Sequence, residues 1–455
     1  MKLFNRYVSA RGIAVFGFET VLISGSIILA AHVHGAFQSA AGSLWRIALV
    51  TVLCEVCFYY NDLYDLTLVH SKGELIIRVL QSAGAAAIVL AAVTALVPDL
   101  IIGHGILITS LCLVLVAVPV WRLAFDGLAR DPHLEERILV LGSGRIARTV
   151  ARQIFSQHDF AYRIVGYVGE DPTDGLSADP LSLGTTADLS SLIAQHQVNR
   201  VVVGLTDRRG RMPIRELLQA KLCGVRVEDA TTTYERLTGK ILLDDLKPSW
   251  FIFSDGFRAA RGTRLVKRAV DVILASIGLL CAAPLMLLTV VAIRLDSPGP
   301  ILYCQDRVGE NGREFTLCKF RSMRADAERG TPVWAKDKDD RVTRVGRFIR
   351  LTRLDELPQL WNVLSGDMSF VGPRPERPYF VEQLAAAIPF YKERHVVKPG
   401  VTGWAQVRYR YGSSVEDARE KLQYDLYYIK HLSIVFDLTI VADTVKVILS
   451  GKGAR

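Results

Sequence analysis

The sequence predicts three parts in order: a membrane α-helical bundle, an α/β Rossmann-like domain, and a mainly α, membrane-associated domain with a re-entrant helix. Half of the 455 residues are hydrophobic and the mean hydropathy is +0.25, too apolar for an ordinary soluble protein. Four apolar stretches open the chain, and a glycine-containing strand-turn-helix pattern follows them. A fifth apolar stretch has basic residues on both sides. We assign the parts to 1–125, 135–245 and 262–455.

The bundle is predicted from four apolar stretches, each near the ~20 residues that a helix needs to cross a bilayer. They lie at 13–31, 44–60, 75–97 and 101–121. Lys2, Arg6 and Arg11 precede the first stretch, whereas the following loop, HVHGAFQSAAGS, has no lysine or arginine. The positive-inside rule therefore places the N-terminus in the cytoplasm, and four crossings return the chain there. The loop NDLYDLTLVHSKGE is net acidic, which argues against this orientation.

Ionisable and thiol side chains also fall inside these stretches. Glu19, Arg46 and Glu55 are costly in hydrocarbon, so they either serve a function or pair within the bundle. Cys54 and Cys57 form a CxxC without a second pair, which favours small buried side chains over a zinc site. Seven scattered cysteines indicate no disulfide framework.

The fifth apolar stretch, 272–293, is long enough to cross a membrane. Basic residues lie on both sides of it: Arg264, Lys267 and Arg268 before, and Arg294 after. The positive-inside rule therefore holds both ends on one face, and Pro284 bends the helix in the middle. We predict a re-entrant helix that bends at Ala283-Pro284. A fifth crossing with a proline kink is the alternative.

The middle domain is predicted from RILVLGSGRIARTVARQI, which reads as a strand, a Gly-x-Gly-x-x-Ala turn at Gly142, Gly144 and Ala147, and a helix. Further strand and helix patterns complete an open, mostly parallel sheet. The turn either receives a pyrophosphate, with Glu170 or Asp171 near a ribose, or is a tight turn in a ligand-free domain. No tyrosine has a lysine four residues later, so a redox function on a sugar nucleotide is disfavoured.

The C-terminal domain has a basic region beside the fifth stretch. Residues 305–350 contain twelve Lys/Arg and eight Asp/Glu. Such a region is typical of a solvated surface or one that faces lipid headgroups. No nucleic-acid recognition module is present, so we expect no nucleic-acid partner.

Two adjacent carboxylates, Asp355 and Glu356, are the strongest chemical signal in this domain. Neighbouring helical residues point about 100° apart, so the two carboxylates should have different roles. One carboxylate can attack phosphorus to form an acyl-phosphate, while its neighbour holds Mg²⁺. In isolation, an Asp-Glu pair near a helix start is more often exposed surface favoured by the helix dipole.

Nearby cations favour the chemical interpretation. Lys319, Arg321 and Arg350 precede the carboxylates, and Arg374 follows between two prolines in GPRP. Fixed cations of this kind suit a diphosphate. The prolines restrict the backbone, so less conformational freedom is lost when Arg374 binds an anion.

Four motifs in order resemble one known family. KFRSM, LDELPQLWNVLSGDMSFVGPRP, VKPGVTGWAQV and YDLYYIKHLSIVFDL, within 264–449, are similar to the bacterial sugar transferases, the monotopic phosphoglycosyl transferases. The preceding bundle and Rossmann-like domain resemble the long form of that family. One departure is Ala283-Pro284, where the family often has Ser-Pro at the bend.

The resemblance implies transfer of a phosphosugar from a UDP-sugar, UDP-glucose or UDP-galactose, to undecaprenyl phosphate, with release of UMP. It implies that Asp355 is the nucleophile of a covalent intermediate and that Glu356 serves Mg²⁺. Lys319, Arg350, Arg374 and Asp437 fall on other functional positions of the family. A homodimer in the bacterial inner membrane, with the catalytic domain facing the cytoplasm, is also implied.

Two alternatives remain open from the residues. A transferase could move the phosphosugar in one direct step, with Asp355 as base or metal ligand. The chain could instead be a non-catalytic membrane sensor or scaffold of polysaccharide assembly.

Overall fold

The computed structural model describes most of the chain in two compact units: Tyr7–Thr233, and Tyr234–Arg455 together with Lys2–Arg6. The residues it describes are 2–3, 6–7, 10–35, 44–64, 72–97, 103–129, 135–142, 144–156, 162–169, 182–205, 212–244, 246, 248–254, 256–257, 261–324, 340–409, 412 and 414–449. Two short strands, β1 Lys2–Leu3 and β2 Arg6–Tyr7, pair with each other before the first helix.

The predicted bundle consists of four helices. They are α1 Ala10–Val33, α2 Leu44–Tyr60, α3 Lys72–Leu96 and α4 His104–Ala129. Ile23, Phe58 and Val118 are fully buried between them, whereas apolar side chains such as Ile88 and Ile108 face outward. An apolar exterior is expected of helices that lie in lipid. Three of the four, over Gly12–Val33, Gly73–Leu96 and Gly105–Phe125, are long and apolar enough to cross a membrane, while α2 has 17 residues.

The two acidic side chains predicted inside the bundle, Glu19 and Glu55, are hydrogen-bonded to other side chains there. Arg122 Nε donates to Glu19 Oε1 at 2.5 Å, and both side chains are almost fully buried. Thr20 Oγ1 donates to the Glu55 carboxylate. Arg46 lies over the neighbouring Trp45 ring. The contacts of Glu19 and Glu55 agree with pairing inside the bundle, whereas the buried Arg46 Nε has no hydrogen-bond partner among the described residues.

The α/β part of the first unit is a five-stranded parallel sheet of order β5-β4-β3-β6-β7, as predicted. Its elements are β3 Glu136–Leu141, α5 Arg145–Ser156, β4 Tyr162–Gly169, β5 Ser182–Thr185, a 3₁₀ turn Thr186–Asp188, α6 Leu189–Gln195, β6 Arg200–Val203, α7 Ile214–Leu222 and β7 Arg226–Asp229. Helix α8 Ala230–Thr238 follows, and the second unit begins within it, at Tyr234. The central strands are buried on both faces, which explains their continuous Ile, Leu and Val runs.

Close packing accounts for the small residues of the glycine-containing turn. Gly142 has φ +114°, and a Cβ atom there would lie 2.8 Å from the Gly204 carbonyl oxygen. A Cβ atom at Gly204 would lie 2.8 Å from Ala147 Cβ, so α5 approaches the end of β6 closely. Small residues are therefore needed here without any ligand. Glu170 and Asp171 lie outside the described residues.

The second unit is mainly helical, as predicted, and also contains two short sheets. Its elements are α9 Pro248–Phe253, α10 Arg261–Asp296, β8 Leu302–Val308, a 3₁₀ turn Glu310–Gly312, β9 Glu314–Phe320, α11 Arg344–Leu351, a 3₁₀ turn Leu354–Glu356, α12 Gln359–Ser365, β10 Ser369–Val371, α13 Pro378–Ala387, a 3₁₀ segment Tyr391–Val396, β11 Gly400–Thr402, α14 Trp404–Arg408, α15 Val415–Lys430 and α16 Ile434–Leu449. Strands β8 and β9 form an antiparallel hairpin in which Cys304 and Cys318 form a disulfide, a pairing that the cysteine spacing did not indicate.

The second unit begins at Tyr234. Ile241 and Leu243 lie in its hydrophobic core together with Trp404. Trp404 Nε1 also donates to the Gly239 carbonyl oxygen at 2.7 Å. Burial of these apolar side chains attaches the segment after Thr233 to the second unit.

Helix α10 covers the fifth apolar stretch, and Pro284 lies inside it without interrupting the helical residues. Near its start, Arg268 donates to two carbonyl oxygens at the end of α12, at 2.5 and 2.7 Å. At its end, Asp296 accepts from Val345 N at 3.1 Å, in the first turn of α11. Between these ends the helix exposes Leu280, Leu287 and Leu288. Both ends of α10 thus pack against the same unit.

Candidate active site

Asp355 and Glu356 lie in the 3₁₀ turn between α11 and α12. Arg353, directly before the turn, has φ +60°, which ends α11 and redirects the chain. Of the two adjacent carboxylates, only Asp355 is among the described residues that line the cavity.

Glu356 is held by cations from three segments. Its Oε1 accepts from Lys319 Nζ on β9 at 3.2 Å and from Arg374 Nη2 at 2.8 Å. Its Oε2 lies 3.8 Å from Arg353 Nη1. Burial alone would raise the pKa of Glu356, but Arg374, Lys319 and Arg353 hold it far below its usual range. Glu356 is therefore a fixed negative charge that orients Lys319 and Arg374.

Asp355 has the opposite electrostatic setting. Its side chain is 9% exposed, and the described part of the chain offers it no hydrogen bond or ion pair. Burial and the neighbouring Glu356 raise the pKa of Asp355 to about 6, against the opposing effects of Lys319, Arg374 and Arg350. A buried carboxylate without a partner, facing a cavity, is suited to nucleophilic attack or to acid-base chemistry.

The cavity beside Asp355 has a volume of about 500 Å³. Its described lining contains eleven Lys/Arg and three carboxylates. The basic residues are Arg307, Lys319, Arg321, Arg324, Arg341, Arg350, Arg353, Arg374, Arg377, Arg394 and Lys421. This excess of positive charge suits a ligand with several negative charges, such as a diphosphate.

The turn that carries Arg374 is fixed by two further arginines that the sequence patterns did not indicate. Buried Arg394 donates to the Arg374 carbonyl oxygen at 3.1 Å and pairs with buried Asp425 at 2.8 Å. Arg307 Nη1 donates to the Pro375 carbonyl oxygen at 3.0 Å. In the sequence, only the pattern GPRP indicated that the backbone around Arg374 is fixed. Arg394 and Asp425 look like ordinary charged helix residues and gave no such indication.

The remaining predicted site residues fall in different places. Arg350 lines the cavity from the last turn of α11. Arg321 also borders it, but its terminal nitrogens donate to the Ser297 and Pro298 carbonyl oxygens just after α10. Asp437 is buried at the start of α16, pairs with Lys267 at 2.6 Å, and is not among the described cavity-lining residues.

A magnesium ion is compatible with the two carboxylates. Mg²⁺ prefers oxygen ligands and is often held by one or two carboxylates together with substrate phosphates. Asp355 has both oxygens free of described partners, and Glu356 Oε2 has only the 3.8 Å contact with Arg353. Within the described ranges, no three His, Cys, Asp or Glu side chains form a metal cage, so the substrate would have to complete the ligand set.

The fold and the cavity define a membrane protein with a site for a polyanion. The chain belongs to the bacterial sugar transferase family: that family's model matches residues 262–451. A second model, described as a CoA-binding domain, matches residues 60–220.

Three relatives show the range of similarity. A UDP-N-acetylgalactosamine-undecaprenyl-phosphate N-acetylgalactosaminephosphotransferase of Aeromonas hydrophila is 44% identical over 53% of this chain and 56% of its own length. An undecaprenyl-phosphate glucose phosphotransferase of Komagataeibacter xylinus is 34% identical over 69% and 59%. A UDP-glucose:undecaprenyl-phosphate glucose-1-phosphate transferase of Caulobacter vibrioides is 44% identical over 42% and 72%. The chain spans little more than half the length of the first two.

Proposed function

We propose that the protein transfers a sugar 1-phosphate from a UDP-sugar to undecaprenyl phosphate and so starts a surface polysaccharide repeat. The observation that carries the proposal is the unpaired, buried Asp355 at the edge of a cavity lined by eleven basic side chains. The names of the relatives support this class of substrates. UDP-glucose and UDP-galactose are the donors implied by the motifs, and UDP-N-acetylgalactosamine joins them from a relative's name.

The transfer would proceed in two displacements. An Asp355 oxygen attacks the β-phosphorus of the donor, the bond from that phosphorus to the bridging oxygen breaks, and UMP leaves. An oxygen of undecaprenyl phosphate then attacks the same phosphorus, which restores the Asp355 carboxylate and forms the polyprenyl diphosphate sugar. Lys319 and Arg374 stabilise the negative charge of the diphosphate, and Glu356 keeps both cations in place.

Glu356 would hold Mg²⁺ together with the donor's phosphates, which leaves Asp355 available as the nucleophile. The ion would neutralise diphosphate oxygens when bound. The chain's own groups bind the donor's phosphates, and Lys319, Arg374 and Arg350 limit the rise in the pKa of Asp355 that burial and Glu356 cause.

Helix α10 would enter and leave the membrane on one side. Its two ends contact the same unit, and the stretch between them exposes leucines. A domain that packs on both ends of a crossing helix would have to reach across about 30 Å of hydrocarbon. This re-entrant path of α10 would place Asp355 at the interface between a cytoplasmic donor and a lipid acceptor in the bacterial inner membrane. We include a homodimer in the proposal only because the family resemblance implies one.

The test is UMP release by nanodisc-embedded protein with undecaprenyl phosphate and Mg²⁺, across UDP-glucose, UDP-galactose, UDP-N-acetylglucosamine and UDP-N-acetylgalactosamine. Wild type should release UMP from one or two donors, and Asp355→Asn should release none. Folded wild-type protein that releases no UMP from any donor would exclude the reaction for these substrates. Loss of polysaccharide assembly in cells with a Gly144 variant, but not in cells with Asp355→Asn, would favour the non-catalytic scaffold.

A further inference from the structure

Asp437 organises a buried polar network around one backbone carbonyl group. Lys267 Nζ donates to Asp437 Oδ2 at 2.6 Å and to the Val371 carbonyl oxygen at 3.0 Å. The Tyr428 hydroxyl group lies 2.8 Å from Asp437 Oδ1 and 3.1 Å from the same Val371 oxygen, so its one proton is shared between them. We call these four residues the Val371 network. It joins α10, α15 and α16 to the end of β10.

The strand that ends at Val371 is held on both of its sides. Asp271, one turn after Lys267 on α10, accepts from Ser369 Oγ at 3.0 Å and from Phe370 N at 2.9 Å. On the other side, β10 pairs with β11, and Gly372 N donates to the Thr402 oxygen at 2.9 Å. The Val371 network therefore fixes the last residue of an already anchored strand.

Arg374 follows Val371 by three residues, with Gly372 and Pro373 between them. Pro373 and Pro375 fix two φ angles of this segment, so a displacement at Val371 is passed on to Arg374 rather than absorbed. Arg374 Nη2 donates to Glu356 Oε1 at 2.8 Å. A small shift of Arg374 would lengthen and weaken this hydrogen bond.

Burial separates Asp437 from the substrate cavity. Its side chain is 6% exposed, both of its oxygens are occupied, and the described cavity lining does not include it. We propose that Asp437 is a positioning residue, which fixes the Val371 carbonyl group through Lys267 and Tyr428 and thereby holds Arg374 against Glu356. The proposal assigns Asp437 no contact with substrate. It rests on the proposed function only in taking Arg374 as the ligand of the donor's diphosphate.

Asp437→Asn is the decisive substitution, because the amide keeps the size of the side chain and turns an amino group toward one of the two donors. If Asp437 acts through Arg374, the two residues form one coupled unit and their effects are not additive. The experiment measures single-turnover UMP release for wild type, Asp437→Asn, Arg374→Ala and the double variant. Asp443→Asn, on the same helix, is the matched control, and melting curves confirm that each protein is folded.

We expect Asp437→Asn to slow UMP release about tenfold or more, as misplacement of a catalytic group does. In the Arg374→Ala background, Asp437→Asn should change the rate by less than about twofold. Effects that multiply in the double variant, or an Asp437→Asn rate equal to that of Asp443→Asn, would overturn the proposal. If Asp437→Asn does not fold, Tyr428→Phe removes one donor and takes its place in the same cycle.

Hydrogen exchange gives a second measurement that does not depend on activity. Asp437→Asn should speed exchange of the amides in 370–376 while Asp443→Asn leaves them unchanged, because only the first loosens the strand. Unchanged exchange in both variants would contradict the positioning role. Wild-type protein without UMP release would count against the proposed function, and the exchange result would still decide the role of Asp437.

Discussion

Arg374 Nη2 donates to Glu356 Oε1 at 2.8 Å, across 18 residues of chain. The contact joins the rigid Gly-Pro-Arg-Pro segment to the turn that carries the two carboxylates. Lys319 and Arg374 donate to Glu356, and Asp355 beside the cavity has no partner among the described residues. The division of roles between adjacent carboxylates follows from this geometry.

Glu356→Gln should impair both activity and stability. The substitution leaves Lys319 and Arg374 close together without their shared negative charge, and both are less than one third exposed. Breaking a buried pair of this kind costs about 3 kcal/mol in the free energy of unfolding. UMP release should fall about a hundredfold or more, since the cations lose their orientation. Glu416→Gln, at an exposed position on α15, is the control. A Glu356→Gln protein with the wild-type rate and melting temperature would contradict this role.

The rate of UMP release should depend on pH through Asp355. Its pKa is raised to about 6, so the attacking carboxylate is lost as the pH falls through that value. At a fixed Mg²⁺ concentration, the rate should rise with pH and level off once Asp355 is ionised.

Arg350→Met should move this acid limb to higher pH. Arg350 lowers the pKa of Asp355, so its removal favours the protonated carboxyl group. Arg347→Met, on the same helix but exposed, should leave the limb in place. A limb that stays fixed in Arg350→Met, or moves to lower pH, would argue against Asp355 as the titrating group.

The membrane path of α10 can be tested with two cysteines. Leu265 and Leu295 lie near its two ends and are 73% and 84% exposed. In a background without the other thiols, Leu265→Cys and Leu295→Cys should react with an impermeant reagent from the cytoplasmic side only. Labelling of the two positions from opposite sides would show that the helix crosses the bilayer.

Much of the architecture could be predicted because its signals are local. Hydropathy located the four helices of the bundle, and continuous apolar runs located the buried parallel strands. Asp355, Glu356 and Arg374 lie within 20 residues of sequence, so the motif itself indicated that they belong together.

Long-range contacts could not be predicted in the same way. Lys267 and Asp437 are 170 residues apart, and each alone resembles an ordinary charged residue near a helix end. Arg394 and Asp425 likewise gave no signal, because their pairing depends on how the 3₁₀ segment packs on α15. The β8–β9 hairpin was missed, since tertiary packing decides where such strands form.

The covalent intermediate on Asp355 can be detected by mass spectrometry. Wild-type protein is incubated with its donor and Mg²⁺ without undecaprenyl phosphate, and the intact protein and its peptides are weighed by mass spectrometry. We expect one sugar phosphate, of the mass that the donor sets, on the peptide that contains Asp355, UMP in equal amount, loss of the adduct when undecaprenyl phosphate is added, and no adduct on Asp355→Asn. Release of UMP only in the presence of undecaprenyl phosphate, with no adduct on the protein, would contradict the two-step mechanism and indicate direct transfer.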